Sequence, residues 1–195
     1  MDLEFRHTLR QTMREKRSHV STNTVCEVSQ KIVSLIIQAP WYQSASHIAF
    51  YKAVNQEIDL HDLWIDACHQ GKTCYFPVIT ERKTLLFFKA DLLTPFFTNR
   101  LHIEEPLHTD LTPQAPDAID LIFLPLLVFD NKGNRLGTGA GFYDRTLEGL
   151  AHMTQPYLVG VAYDFQQVAT LPDALWDIPL DCVVTERCIM PFKGV

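Results

Sequence analysis

The sequence predicts an α/β fold: one domain over residues 1–195, with a mostly parallel sheet flanked by helices and a helical segment at its N-terminus. Three observations carry that prediction. Apolar positions in the first forty residues recur with helical period. Short apolar runs then alternate with a further helical stretch, the order from which parallel crossover units are built. Finally, Asp120 to Phe129 (DLIFLPLLVF) is almost wholly apolar, as a strand covered on both faces must be. The length of 195 residues fits one domain, and 47% hydrophobic content with 11% aromatics excludes a disordered chain.

Each element has its own signal. Leu3 to Arg17 carries Leu9 and Met13 at i, i+4 spacing, with Arg6, Arg10, Arg14 and Arg17 along another face. Ser21 or Thr22 can cap a second helix, whose Val25, Val28, Ile32, Leu35 and Ile36 keep the period, and Pro40 ends it. Strands are expected at His47 to Tyr51, Thr73 to Val78 and Leu85 to Lys89, and Leu60 to Gln70 fits a helix closed by Gly71. Thr94 to Asp117 holds four of the eleven prolines and reads as a long connection packed over the core. Pro125 ends or bends the apolar strand it interrupts. A glycine cluster follows, then a helix through Phe142 to Leu150, a buried strand at Tyr157 to Tyr163, and a last short strand at Cys182 to Thr185.

The formal net charge of −6 gives no general attraction to nucleic acid or anionic lipid. Met1 to Arg17 is charged throughout, unlike a secretory signal, and no apolar run approaches the ~20 residues of a membrane span. The five cysteines include no pair at Cys-x-x-Cys spacing, so reduced thiols in a cytoplasmic protein are expected. Neither nucleic acid nor membrane is an expected partner, and a monomer is the expected state.

Only eight glycines are present, and four of them (Gly133, Gly137, Gly139 and Gly141) fall within nine residues. Their segment, NKGNRLGTGAGFYDR, follows the most apolar strand and precedes a helix. Ligands of open α/β sheets bind beyond the carboxyl ends of the strands. Glycines let backbone N–H groups approach a ligand, a helix start favours negative charge, and Arg135 adds a cation with bidentate geometry. Together they describe a phosphate cradle; the alternative is a glycine-rich turn without a ligand. A Walker loop is excluded because Gly-Lys-Ser/Thr is missing, and a dinucleotide fingerprint because the spacing is G-x-G-x-G.

The segment has a counterpart. Asp120-Leu121-Ile122 to Pro125, Phe129-Asp130, Gly133, Arg135-Leu136-Gly137, Gly139, Gly141 and Tyr143-Asp144-Arg145 resemble the signature of the 5-formyltetrahydrofolate cyclo-ligase (methenyltetrahydrofolate synthetase) family. The resemblance extends over most of the chain. RHTLR (6–10) with Arg14 and Arg17 looks like the family's basic N-terminal helix. YKAVNQEID (51–59) looks like its strand-to-helix turn with a key glutamate, here Glu57. Gly71-Lys72 to Pro77, Glu105-Pro106, Gln166, Leu171-Pro172, Trp176 to Leu180 and Val184-Thr185 follow in the family's order. Departures are Thr138 and Ala140, where many members carry basic, aromatic or glycine residues, and Phe142 and Trp176, which replace a frequent Tyr and His.

The resemblance implies ring closure of 5-formyltetrahydrofolate to 5,10-methenyltetrahydrofolate, with ATP as co-substrate and Mg²⁺. It gives ATP to Arg6, Arg10, Arg135, Leu136, Gly137, Thr138, Gly139, Ala140, Gly141, Phe142 and Tyr143. It gives the folate to Lys52, Glu57, Tyr143 and Trp176, and Mg²⁺ to Asp144 and Asp177, with Asp181 ranked below them. Without it, the arginines read as a solvated helix face, Glu57 as a helix-start residue, Lys52 as a solvated strand end, and Asp144 as a cap or the partner of Arg145. Other readings of the same α/β architecture are a sugar-phosphate isomerase, an acyl-CoA transferase, or a folate-binding protein without turnover. An isomerase without metal would not need paired arginines and two carboxylates together.

Overall fold

A computed structural model describes residues 2–107, 112–150, 155–172 and 178–192. The chain opens with α1 (Asp2–Ser18) and α2 (Thr22–Ile37). The Ser21 hydroxyl accepts the Thr24 N–H at 3.1 Å, satisfying one of the donors that every helix start leaves free. Pro40 does not end α2, which stops at Ile37; it opens α3 (Pro40–Ser44), in a first turn where a missing N–H costs nothing. There follow β1 (His47–Ala49), α4 (His61–His69), β2 (Thr73–Ile79), β3 (Leu85–Lys89), β4 (Phe96–Thr98), β5 (Glu104–Pro106) and β6 (Leu121–Pro125). The chain continues through β7 (Val128–Phe129), β8 (Arg135–Leu136), α5 (Phe142–Leu147), β9 (Tyr157–Val161), β10 (Cys182–Val184) and β11 (Ile189–Pro191).

Seven strands form one sheet in the order β11-β10-β9-β6-β1-β2-β3. The inner five are parallel, while β3 and β11 close the two edges antiparallel. At the centre, Leu121 and Phe123 of β6 join the core against α2, α3 and α4, and Ile122 and Leu124 join the opposite core with Leu147 and Leu180. Both faces of β6 are therefore apolar, which is why its sequence lacks a polar alternation. The chain leaves β1 toward β2 on one side and leaves β6 toward β9 on the other. Between β1 and β6 lies the switch point where such sheets hold ligands. Glu57 follows the carboxyl end of β1, and the glycine loop follows that of β6.

Several expectations are corrected. Thr94 to Asp117 is not a featureless connection: β4 and β5 pair as a hairpin whose turn is closed by Asn99 Oδ1, which accepts from Leu101 N and Ile103 N. Phe96 fastens this hairpin on the core, edge-on to Trp64 and Phe76 at 5.7 and 5.2 Å. The apolar segment divides at Pro125, and its second half pairs with β8 as a small hairpin. The helix after the glycines ends at Leu147 rather than Leu150, because Glu148 is extended and Gly149 has a φ of +89°. Strand β11 follows the expected last strand and pairs with it.

Candidate active site

The β7–β8 hairpin is built around Asp130, which is fully buried. Its carboxylate accepts the N–H groups of Lys132 and Asn134, the Asn134 side chain, and the N–H of Leu171 at 3.0 Å. Helix α1 packs on this hairpin through Leu9 and Met13, against Leu127, Val128, Leu136 and Leu171. That docking brings the α1 arginines to the glycine loop. Arg10 Nε donates to the Gly137 carbonyl at 3.0 Å, Arg14 to the Thr138 carbonyl, and Arg145 to the Ala140 carbonyl. Gly139 (φ +103°) and Gly141 (φ +67°) hold backbone angles that disfavour any residue with a Cβ. In a trans peptide the N–H points opposite the carbonyl. Fixing those carbonyls on guanidinium groups therefore turns the N–H groups of Thr138, Gly139 and Gly141 away from them. Among the described residues, the N–H groups from Thr138 to Gly141 meet no acceptor.

A cavity of about 370 Å³ lies beside this loop. Arg6, Arg10, Arg135, Arg145, Asp144 and Glu148 line it with Gly137, Gly139 and Gly141. Four guanidiniums against two carboxylates leave a local excess of positive charge in a protein whose net charge is −6. Arg135 is nearly inaccessible: it donates to the Ile178 carbonyl and to Asp144 Oδ1 at 2.8 Å. Asp144 is thus paired with Arg135 and not with its neighbour Arg145, since adjacent residues on a helix do not face each other. Leu136 is buried in the core against α1, so its side chain stays out of the cavity. Helix α5 has six residues and no side-chain cap, so the loop and the arginines, not a long helix dipole, set the potential here.

A second group forms around Glu57, also buried. Its carboxylate accepts the Val54 N–H at 3.1 Å and meets Arg17 Nη2 at 3.3 Å. Burial pushes its pKa up, while Arg17 and the Val54 N–H pull it down. Three phenols share its surroundings. Tyr51 and Tyr143 are raised by burial first and by the Glu57 charge second. Tyr163 is pushed up to about 12, mainly by burial, and donates to the Gln56 carbonyl at 2.9 Å. Tyr143 feels the charges of both Glu57, which raises its pKa, and Arg135, which lowers it.

Lys52 belongs to a different group. Its ammonium lies over the rings of Phe96, Trp64 and Phe76 at 4.2, 4.6 and 5.2 Å, with Glu104 at 3.8 Å. It is neither a solvated strand end nor a neighbour of the cavity. Asp181 also lies elsewhere: its carboxylate accepts the Leu158 N–H at 2.7 Å at the amino end of β9, and it does not line the cavity. Trp176 and Asp177 lie outside the described residues. Spacing alone did not reveal the contacts of Arg14, Arg17 and Arg145 or the organising role of Asp130. The available signals were the helical position of the first two and an Asp-x-x-Gly turn for the last.

A mostly parallel sheet with its switch point between β1 and β6, and an arginine-lined cavity beside a glycine loop, defines a protein of the α/β class. Residues 3–186 match the model of the 5-formyltetrahydrofolate cyclo-ligase family. The chain belongs to that family and is an enzyme of the cyclo-ligase type. It is 36% identical over 177 residues to the 5-formyltetrahydrofolate cyclo-ligase of Escherichia coli K12, covering 89% of this chain and 96% of the relative. The Haemophilus influenzae enzyme is 33% identical over 182 residues, covering 92% and 97%. The solved structure of Aquifex aeolicus 5,10-methenyltetrahydrofolate synthetase superposes with a TM-score of 0.84 at 28% identity, covering 97% of this chain and 94% of that one.

Proposed function

We propose that this chain converts 5-formyltetrahydrofolate to 5,10-methenyltetrahydrofolate with ATP and Mg²⁺, releasing ADP and phosphate. The observation that supports the reading is the arginine-lined cavity beside a glycine loop whose carbonyls are held on Arg10, Arg14 and Arg145. A formamide oxygen is a poor leaving group. In the proposed reaction it attacks the γ-phosphorus and ADP departs, leaving a phosphorylated iminium carbon. N10 then attacks that carbon and gives up its proton, and phosphate carries the oxygen away as the ring closes. Phosphoryl transfer asks a protein chiefly for positioning and charge neutralisation.

Arg6, Arg10 and the N–H groups from Thr138 to Gly141 would hold the phosphates, and Glu57 would accept the paired N–H donors of the pterin. Tyr143 would lie against both ligands. Arg135 supports the cavity wall by fixing Asp144. The donor chemistry fits Mg²⁺: one Asp144 oxygen is on Arg135 and the other is left, and this ion is commonly held by one or two carboxylates with phosphate oxygens and water. Asp144 and Asp177 would hold it, and it would supply charge neutralisation at the phosphates. The reading extends to a cytoplasmic monomer with a single domain across residues 1–195 and no nucleic-acid or membrane partner. No described helix is long and apolar enough to cross a membrane. The test is the methenyl chromophore, followed spectroscopically with 5-formyltetrahydrofolate, ATP and Mg²⁺. It should form only with all three, and purified protein that forms none refutes the assignment.

A further inference from the structure

Arg17 is a buried cation with no part in the reaction above. Its side chain is 4% exposed, and it reaches two fixed acceptors. Nη1 donates to the Leu126 carbonyl at 3.3 Å, just beyond β6, and Nη2 meets Glu57 Oε1 at 3.3 Å. The Leu126 carbonyl is itself held by Gln166 Nε2 at 2.9 Å, and Glu57 Oε2 takes the Val54 N–H. A carboxylate has about four lone-pair sites. Two are used here, one on each oxygen, so each oxygen keeps one free, as a bidentate pair of N–H donors requires.

We propose that Arg17 is a positioning residue for the folate, fixing the Glu57 carboxylate so that its two remaining lone pairs meet the pterin N–H donors. The proposal rests on the reading that Glu57 receives the pterin. The groups facing that carboxylate are Arg17 from α1, Tyr51 from the segment after β1, Tyr143 from α5 and Tyr163 from the segment after β9. Arg17 is the cation among them. Burial already favours the protonated carboxyl, and removing Arg17 strengthens that bias. A protonated carboxyl presents an O–H where the pterin needs an acceptor.

The test is calorimetric titration with 5-formyltetrahydrofolate in the absence of ATP, alongside titration with a non-hydrolysable ATP analogue. Glu57→Gln should weaken folate binding at least tenfold. Arg17→Met should do the same at pH 7, recover much of the loss by pH 9, and bind the ATP analogue within about threefold of wild type. Arg17→Lys should retain most folate affinity, and the Arg17→Met/Glu57→Gln double variant should bind no worse than Glu57→Gln alone. If Glu57→Gln binds folate like wild type, the reading of Glu57 fails. If Glu57→Gln weakens but Arg17→Met does not, or loses folate and ATP analogue equally at every pH, Arg17 is only a strut and the proposal is overturned. Should Arg17→Met not fold, Arg17→Gln, which is uncharged but keeps N–H donors, takes its place with the same readouts.

Discussion

Replacing Arg135 by methionine separates two tasks that its sequence position suggests alike. If the guanidinium were free to grip phosphate, its loss would impair ATP use and leave stability alone. It is instead 5% exposed and bound on both sides. Arg135→Met leaves the Ile178 carbonyl without its donor, a loss of about 1–3 kcal/mol for a buried acceptor. It also breaks the pair with Asp144. Such a break is worth about 3–5 kcal/mol when both partners are buried, but Asp144 is 29% exposed and water can reach it, so about 1 kcal/mol is appropriate. The sum is about 2–4 kcal/mol, or a fall in Tm of about 4–16 °C for a chain of this length. Thermal unfolding followed by circular dichroism measures it, with the KM for ATP and for folate taken on the same preparation. Both KM values should rise, since the wall that carries Asp144 and Tyr143 loosens. A Tm within about 2 °C of wild type together with a raised KM for ATP alone would refute this reasoning.

Gly139→Ala should raise the KM for ATP several-fold. The atoms nearest a Cβ there belong to Arg10, at 3.6–3.8 Å, an ordinary contact, so the cost is the left-handed backbone, about 1–3 kcal/mol, and the loop relaxes rather than the core. Ser21→Ala removes the α2 cap, which neither lines the cavity nor touches Glu57, and should lower stability by about 1 kcal/mol in a denaturant melt without changing either KM. Glu57 carries a pH signature. Its folded pKa lies above its ordinary 4.5, so the native state binds this proton more tightly than the unfolded chain does. The stability it contributes is full below pH 4.5 and is lost as pH rises through the raised value. Glu57→Gln should flatten that fall in melts run across the window, whereas wild-type folate affinity should rise through it as the carboxylate forms.

The sheet was legible because burial on both faces leaves continuous apolar runs, and the crossover through α4 because Gly71 closes the helix in the left-handed conformation. The hairpins were not, since two or three residues show no period. Their strands are held by turn side chains, Asn99 in one and Asp130 in the other, rather than by strand propensity. The glycine loop announced itself because Gly139 and Gly141 stand where a Cβ is strained. What the loop does with its carbonyls depends on Arg10, Arg14 and Arg145, and the first two lie more than 120 residues away in the chain.

The fate of the four α1 arginines shows what was missing. On one face of a helix they look equivalent, and a solvated face is the ordinary reading of such a stripe. Only the docking contact distinguishes them. At 100° per residue, Arg6, Arg17, Arg10 and Arg14 lie about 20°, 40°, 60° and 100° around the helix from Met13. Met13 is the buried apolar residue that seats α1 on the β7–β8 hairpin. Exposure follows that angle: Arg6 and Arg17 are buried, Arg10 is intermediate and Arg14 is exposed. The helix axis then separates the two buried ones, sending Arg6 to the cavity and Arg17 to Glu57. One apolar residue, read as the seat of the helix, assigns each arginine its depth, and the distance along the axis assigns its partner.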